Sequence, residues 1–443
     1  MTSNAKEIYK GKIKSIDGAL RTIKSNDFII AAMAGSEPIP LLEELHRIRD
    51  YGVRGCELSN CLPMKDYEFI KNPEYADTIF TAGWFYSPVM RKAHSTGNVS
   101  FAPQHLHNSF TKRLYARDDR RLVLLCTCAS MDKHGYLSLS LGTTYERQAI
   151  EEGAYVIAVV NPNLPRTFGD TLVHISEIDI VVESSYELPT LPEVPINEKD
   201  RIIGNYIAEM VEDGSTIQLG IGGIPNAVAE ALKIKKHLGI HTEMFTDGMV
   251  DLIQWGAVDN SHKTIYRGQT VATFALGSQR LYDFIDDNPS VVFRYGKWTN
   301  NPYIIGQNHK MVSINTSLEV DLFGQCASES IGPMQFSGTG GQTDTAVGAQ
   351  NSPEGKSFIA LYSTTTVKNE AGGRSTISKI VPMLKQGAAV SLSRNDVDYV
   401  VTEHGIVRLR GRSIKERVER LISIAHPDFR DELKFQAKQH GIW

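Results

Sequence analysis

The sequence has no apolar run long enough to cross a bilayer: "AYVIAVV" and its like fall far short of the roughly 20 residues that a spanning helix needs. It has no run of lysine and arginine either, and a formal net charge of -4 leaves no basic excess to grip a phosphate backbone. No nucleic acid and no membrane are therefore expected as partners, and small-molecule chemistry is the better expectation. Cysteine is scarce. Cys56, Cys61, Cys126, Cys128 and Cys326 are odd in number and scattered, unlike a secreted disulfide framework. The pair in "CTC" has no second Cys/His pair at zinc-finger spacing, so no metal is expected there. Alternation along "RLVLLCTCAS" puts both sulfurs on one face of a strand, as buried thiols. The opening "MTSNAKEIYKGKIK" lacks the apolar core of a signal peptide, which makes the cytoplasm the expected location.

What is present reads as a globular chain: 41% of its 443 residues are hydrophobic and 22% charged, too much chain for one ordinary core. The clearest shift in composition is "ELPTLPEVPINEKD", where Pro189, Pro192 and Pro195 recur every third residue and neither a helix nor a central strand can continue. A boundary there predicts two domains, 1–190 and 191–443. The halves echo each other: a constant offset pairs Gly35 with Gly222, Pro38 with Pro225, Glu43 with Glu230 and Leu45 with Leu232. A strand, a glycine turn and a proline-led helix are expected to open each half, the proline standing in the first turn where its missing N–H costs nothing. Elsewhere "YVIAVVN", "IDIVVES", "KMVSIN", "SFIALYST", "AAVSLS" and "DYVVTEHG" are short β-branched runs between helical stretches. They predict an α/β fold of two similar open domains with mostly parallel sheets. Ser413 and Glu416 form a capping box that opens a last helix ending before Pro427.

Two glycine-rich turns stand out, "LGIGGIPNAV" and "SGTGGQTD". Neither completes G-x-G-x-x-G and neither carries G-K-[ST], which argues against a dinucleotide or nucleotide triphosphate site. Each offers exposed backbone N–H groups, the first at a helix start where the dipole favours an anion or a developing oxyanion; each could equally be only a tight turn. No G-x-S-x-G elbow, no papain-like or caspase-like cysteine and no H-E-x-x-H is present. Carboxylates remain. Two of them interrupt strand-like segments, Glu243 in "HTEMF" and Glu403 in "VTEHG", and spacing does not choose between them.

At "LGIHTEMFTDGMVDLIQWGAV" the chain strongly resembles the family I CoA-transferases. Within them it is similar to the 4-hydroxybutyrate CoA-transferases and butyryl-CoA:acetate CoA-transferases, also described as acetyl-CoA hydrolase/transferases. "GWFYSPVMR", "GDTLVHISEID", "EDGSTIQLGIGGIPNAV", "QFSGTGGQTD", "ISKIVPML" and "SRNDVDYVVTEHGI" follow in order, so the resemblance runs over essentially the whole chain. It implies two α/β domains with the active site between them, and Glu243 as a nucleophile that carries first an acyl group and then CoA. It implies oxyanion donors around Gly223-Ile224 and Gly340-Gly341, namely the N–H groups of Ile224 and Gly341. CoA contacts are implied at Gly220, Ile221, Gly222, Gly223, Ile224, Asn315, Gly341 and Lys368. No cofactor is implied, because coenzyme A is a substrate; acyl-CoA and short-chain carboxylates are the implied partners, and a homo-oligomer is left open. Hydrolysis of the same covalent intermediate by water is the close alternative; a non-catalytic anion-binding protein and an NAD-dependent dehydrogenase lie further off. Thr345 stands where relatives commonly carry an aromatic residue, and "PQHLHNSF" departs from the more usual acidic ending of that segment. With "MAGSEP", that loop is expected to shape the acyl pocket.

Overall fold

Near-continuous runs of branched apolar residues have two faces to bury, and a parallel sheet covered on both sides buries them. The computed structural model describes residues 3–368 and 372–442. Its chain divides into two compact units: the first takes the chain up to Pro192 with Glu243–Asp247 and Gln269–Thr299, the second Glu193–Thr242, Gly248–Gly268 and the chain from Asn300. The division expected from composition keeps all of 191–443 in the second domain. By compactness, Glu243 and the segment 269–299 group with the first unit.

The first unit holds a seven-stranded parallel sheet of β1 (Phe28–Ala31), β2 (Cys56–Asn60), β3 (Ile79–Gly83), β4 (Val99–Phe101), β5 (Leu122–Cys128), β6 (Tyr155–Val160) and β7 (Ile180–Glu183). Its order is β7-β6-β5-β1-β2-β3-β4, with every neighbouring pair parallel. The chain fills one side of β1 and then returns to fill the other, so the sheet reverses direction between β1 and β5. All seven residues of β5 are buried, and Cys126 and Cys128 lie in one core cluster with Phe28, Ile30 and Leu124. After β1 comes the turn Met33–Glu37 and a proline-led helix α1 (Ile39–Glu44). A second helix, α2 (Glu146–Glu151), precedes β6.

The second unit opens in the same way. Helix α3 (Glu198–Met210) begins at a capping box of Asn197 and Asp200, then β8 (Thr216–Leu219) runs through a glycine turn into α4 (Gly223–Ala231). With β9 (Gly239–Ile240), β10 (Met311–Thr316), β11 (Lys356–Ala360), β12 (Tyr399–Thr402) and β13 (Gly405–Arg408) the sheet order is β9-β8-β10-β11-β12-β13. All pairs are parallel except the closing hairpin β12–β13. Its reversal falls between β8 and β10, beside the unit's first sheet strand, as in the first unit. Between β10 and β11 lies α5 (Gln342–Asn351), and α6 (Ile414–Ser423) starts at Ser413, whose N–H donates to the Glu416 carboxylate at 2.9 Å.

Two expectations fail locally. "AAVSLS" forms no strand; it makes a single bridge from Leu392 to Cys326, because no extended neighbour continues alongside it. The run around Glu243 is not one strand either. It breaks after β9 and resumes at Met244–Phe245, where the chain changes sheet partners from β8 to Phe274–Ala275.

Candidate functional site

Ligands of open α/β sheets collect at the carboxyl ends of the strands where the strand order reverses. In the second unit that point lies between β8 and β10, and five of the glycine-turn residues singled out above follow β8 directly. Gly220 donates its N–H to Ile314 of β10 at 3.3 Å. Gly222 takes φ of 115°, a conformation that a side chain resists, and it is the N-cap of α4 without any side-chain cap. The N–H groups of Gly223 and Ile224 therefore carry no hydrogen bond among the described residues, while Pro225 has none to offer. They point out of a helix start, an arrangement suited to an anion or an oxyanion. A Cβ on Gly223 would stand 2.5 Å from an Asp200 carboxylate oxygen, so glycine is what lets α3 and α4 cross there. Asp200 is buried and held by the Asn197 N–H at 2.9 Å and the Tyr362 hydroxyl at 2.6 Å.

Asn315 lies near the carboxyl end of β10, next to that turn. Its Nδ2 donates to Ser313 Oγ at 2.9 Å and to Thr345 Oγ1 at 3.0 Å. Ser313 passes its own proton to Gln218 Oε1 at 3.2 Å, and Thr345 donates to the Gln342 carbonyl at 3.3 Å. With both amide hydrogens taken, Asn315 presents its Oδ1 as the open end. Thr345, where an aromatic residue is more usual, is thus a buried member of this network. Gly341 is the N-cap of α5, follows the left-handed Gly340 (φ 53°) and also lacks a side-chain cap. The Gln342 amide ties α5 to β10 through the Thr316 carbonyl at 2.7 Å. The structure thus brings Gly220, Ile221, Gly222, Gly223, Ile224 and Asn315 to one switch point, with the helix that begins after Gly341 bonded to the same strand. Lys368 stands apart, exposed at the end of the strand Thr364–Lys368 in a two-stranded hairpin.

Glu243 belongs to the first unit's group. Its carbonyl accepts the N–H of Thr273 at 2.9 Å and of Phe274 at 3.2 Å, which pins the backbone at a bend between the two short strands. Its charge reaches Cys61, whose thiol is pushed well above its usual range by burial first and then by Glu243 and Glu146. Met33, Ala34, Cys61, Trp84, Tyr145, Met244 and Phe274 share one buried core cluster. The "MAGSEP" loop is anchored through Glu37, a fully buried carboxyl that accepts Asn60 Nδ2 at 2.6 Å, the Met64 N–H at 2.9 Å and the Tyr67 hydroxyl at 2.9 Å. Glu403 is different in kind. Burial works to raise its pKa, but Lys199 at 2.8 Å, with the Ser363 N–H at 2.8 Å and hydroxyl at 2.9 Å, outweighs it and holds the carboxylate below its ordinary value. Both Glu403 oxygens are engaged in the second unit.

Sequence reasoning missed Glu37, Cys61, Trp84, Glu146 and Asp200. Glu37 and Trp84 lie inside the motifs "MAGSEP" and "GWFYSPVMR" and Asp200 in the "NEKD" capping box, but no role could be given to any of the five until the strand ends converge. Among the described residues, no group of three or more His, Cys, Asp or Glu could hold a metal ion, and no helix is long and apolar enough to cross a membrane.

Comparison with known proteins identifies what the chain is similar to. The acetyl-CoA hydrolase/transferase N-terminal domain matches residues 2–192 and the C-terminal domain of the same name residues 277–437. The succinyl-CoA:cyclohexane-1-carboxylate CoA transferase of Geobacter metallireducens is 44% identical over 97% of this chain and 96% of its own. The 4-hydroxybutyrate coenzyme A transferase of Clostridium kluyveri is 39% identical over 98% and 99%. The crystal structure of RipA from Yersinia pestis superposes with a TM-score of 0.91 at 35% identity, covering 99% of this chain and all of that one.

Proposed function

The chain belongs to the acetyl-CoA hydrolase/transferase family and is an acyl-CoA:carboxylate CoA-transferase, and from that premise we propose that it moves CoA between a short-chain acyl-CoA, butyryl or 4-hydroxybutyryl, and acetate. The observation that carries the mechanism is the setting of Glu243, a carboxylate-bearing residue at a bend whose backbone is pinned by the N–H groups of Thr273 and Phe274. Its carboxylate attacks the thioester carbonyl, the C–S bond breaks, and CoA thiolate leaves an acyl-glutamyl anhydride. The thiolate then attacks the glutamyl carbonyl, expelling the first carboxylate and leaving a glutamyl-CoA thioester. An incoming carboxylate reverses both steps. No proton is gained or lost overall, and the two thioesters are of similar energy, so a weak nucleophile suffices.

Each transfer passes through a tetrahedral oxyanion. The Ile224 and Gly341 N–H groups are its donors in this reading, and the loss of one such preorganised donor costs about 10²–10³ in rate. Gly220, Ile221, Gly222, Gly223, Asn315 and Lys368 contact CoA. What supports these roles is the uncapped start of α4, the cap position of Gly341 and the open Oδ1 of Asn315; Lys368, on an exposed hairpin, has the least support.

The test is covalent trapping. Incubation with acyl-CoA alone, reduction with borohydride and peptide mapping are expected to find the modified residue at Glu243, with ping-pong kinetics toward acetate. Glu243→Ala is expected to abolish both label and exchange, and Glu403→Ala to leave labelling intact. A label at Glu403, or full exchange in Glu243→Ala, would overturn the mechanism; release of free CoA at the same rate with and without acetate would make the protein a hydrolase.

A further inference from the structure

In the first unit, close to the segment that carries Glu243, several buried polar atoms are poorly matched, and two of them belong to a carboxyl group and an indole. Glu146 and Trp84 are each 1% exposed; Glu146 Oε1 has no hydrogen-bond partner among the described residues, and Trp84 Nε1 has only the Cys61 thiol, a weak acceptor. Buried polar groups in native proteins are nearly always satisfied, so such a pair calls for an explanation. The helix start accounts for only part of Glu146: its Oε2 accepts the Tyr145 N–H at 2.9 Å, and backbone donors including Met33 oppose the effect of burial without closing a hydrogen bond on Oε1.

Strand pairing brings this pair to the Glu243 segment. Phe274 pairs with Met244 on one side and with Gly142 on the other. The Leu141 carbonyl accepts the Ala275 N–H at 2.7 Å and the Thr143 N–H reaches the Thr273 carbonyl at 3.1 Å, so the segment leading into Glu146 lies one strand away from Glu243. Gly142 permits the approach; a Cβ there would stand 3.0 Å from the Phe274 Cβ. Trp84 meets Tyr145 edge-on at 5.2 Å between ring centroids. Cys61, which Glu243 and Glu146 both influence, also lies within reach of the indole.

The chemistry of the pair selects its ligand. Trp84 Nε1 can only donate, whereas Glu146, whose pKa burial raises, can accept and when protonated also donate. A second carboxylate would enter beside two carboxyl groups without a counter-ion, since none of the groups that shift Cys61, Tyr145 or Glu146 is a cation. A hydroxyl is uncharged, accepts from the indole and bonds the carboxyl at once. We propose that Glu146 and Trp84 set acyl specificity by hydrogen-bonding a hydroxyl on the acyl chain, so that hydroxyacyl groups are preferred to plain aliphatic ones of the same length. This rests on the reading of Glu243 as the acyl-carrying residue.

The experiment compares kcat/KM of the full chain for 4-hydroxybutyryl-CoA and butyryl-CoA with acetate as acceptor. A site with unpaired buried polar groups discriminates against the ligand that leaves them unpaired, and a preference of about tenfold or more for the hydroxyacyl ester is expected. Glu146→Met and Trp84→Phe should each reduce that preference by about tenfold, and Glu146→Gln, which keeps a hydrogen-bonding end, should retain most of it. A wild-type protein without the preference, or one whose preference survives Trp84→Phe and any folded Glu146→Met, overturns the proposal. Should Glu146→Met fail to fold, Trp84→Phe decides alone. Exchange of labelled acetate with acetyl-CoA separates the two levels: exchange without the preference sinks this proposal only, and no exchange with any acyl-CoA sinks the transferase reading together with it.

Discussion

At Glu37 two effects oppose each other. Complete burial raises the carboxyl, and the bonds from Asn60, Met64 and Tyr67 draw it back, leaving a pKa pushed up to about 7 from 4.5. A carboxyl whose folded pKa lies above its unfolded one binds its proton more tightly in the native state, so stability is full below about pH 4.5 and falls as pH rises toward 7. The loss amounts to up to roughly 3 kcal/mol. Thermal melts of the wild type are therefore expected to show a component that decreases from pH 5 to pH 7.5, and Glu37→Gln should flatten that component; an identical pH slope in the variant would remove the assignment. Glu403 shows the contrary balance, with burial overcome by Lys199 and Ser363. The two glutamates thus differ because Glu403 is in a direct ion pair with Lys199, whereas the direct partners of Glu37 are neutral and Lys65 is only the smallest of the influences on it.

Elements meet at the glycines. The crossing of α3 over α4 depends on Gly223, whose missing Cβ leaves room for the Asp200 carboxylate. Gly223→Ala forces that buried, doubly bonded carboxylate to shift, and overpacking of this kind costs about 1–3 kcal/mol. The expected outcome is a lower denaturation midpoint and, because Ile224 follows directly, reduced turnover. Gly11→Ala serves as the control: a Cβ there meets nothing within 4 Å, and alanine favours the helix Ser3–Lys12 that contains it. Equal stability of the two variants would show that the α3–α4 crossing tolerates a side chain. The glycine turn after β8 was legible as a helix start, but Asp200 as its neighbour was not, since 23 residues of sequence separate them and only the packing of two helices joins them.

For the molecule as a whole, the proline-rich segment is where the chain first passes from one unit to the other. It has no regular structure from Ser184 to Ile196, and its first part is tied down by the Leu191 N–H on Gly277 at 3.0 Å and the Tyr282 hydroxyl on Pro189 at 2.6 Å. Beyond that Pro192, Glu193, Val194 and Pro195 are exposed. Limited digestion with a glutamate-specific protease should cut first between Glu187 and Asp200, and at Glu193 before Glu187, read by intact mass of the fragments. A first cut inside either sheet would contradict the two-unit division.

Read without a structure, the chain already determined its α/β class, the strands β6, β7, β10, β11 and β12, the cap of α6 and the two glycine turns. These follow from local rules: branched residues fit a pleated buried surface, a serine with a glutamate three residues on satisfies a helix start, and glycine alone accepts the strained turn. Pairing of distant segments was beyond its reach. "AAVSLS" has strand composition but no neighbour to bond, and the run at Glu243 breaks because hydrogen-bond partners on β8 end where those on Phe274–Ala275 begin. Glu37 and Trp84 sat inside recognised motifs, and Cys61 and Glu146 did not, but no local pattern gave any of the four a role. Their burial, unmatched atoms and electrostatics exist only once strand ends far apart in sequence converge, because desolvation and hydrogen bonding depend on what surrounds a side chain and not on which residues precede it.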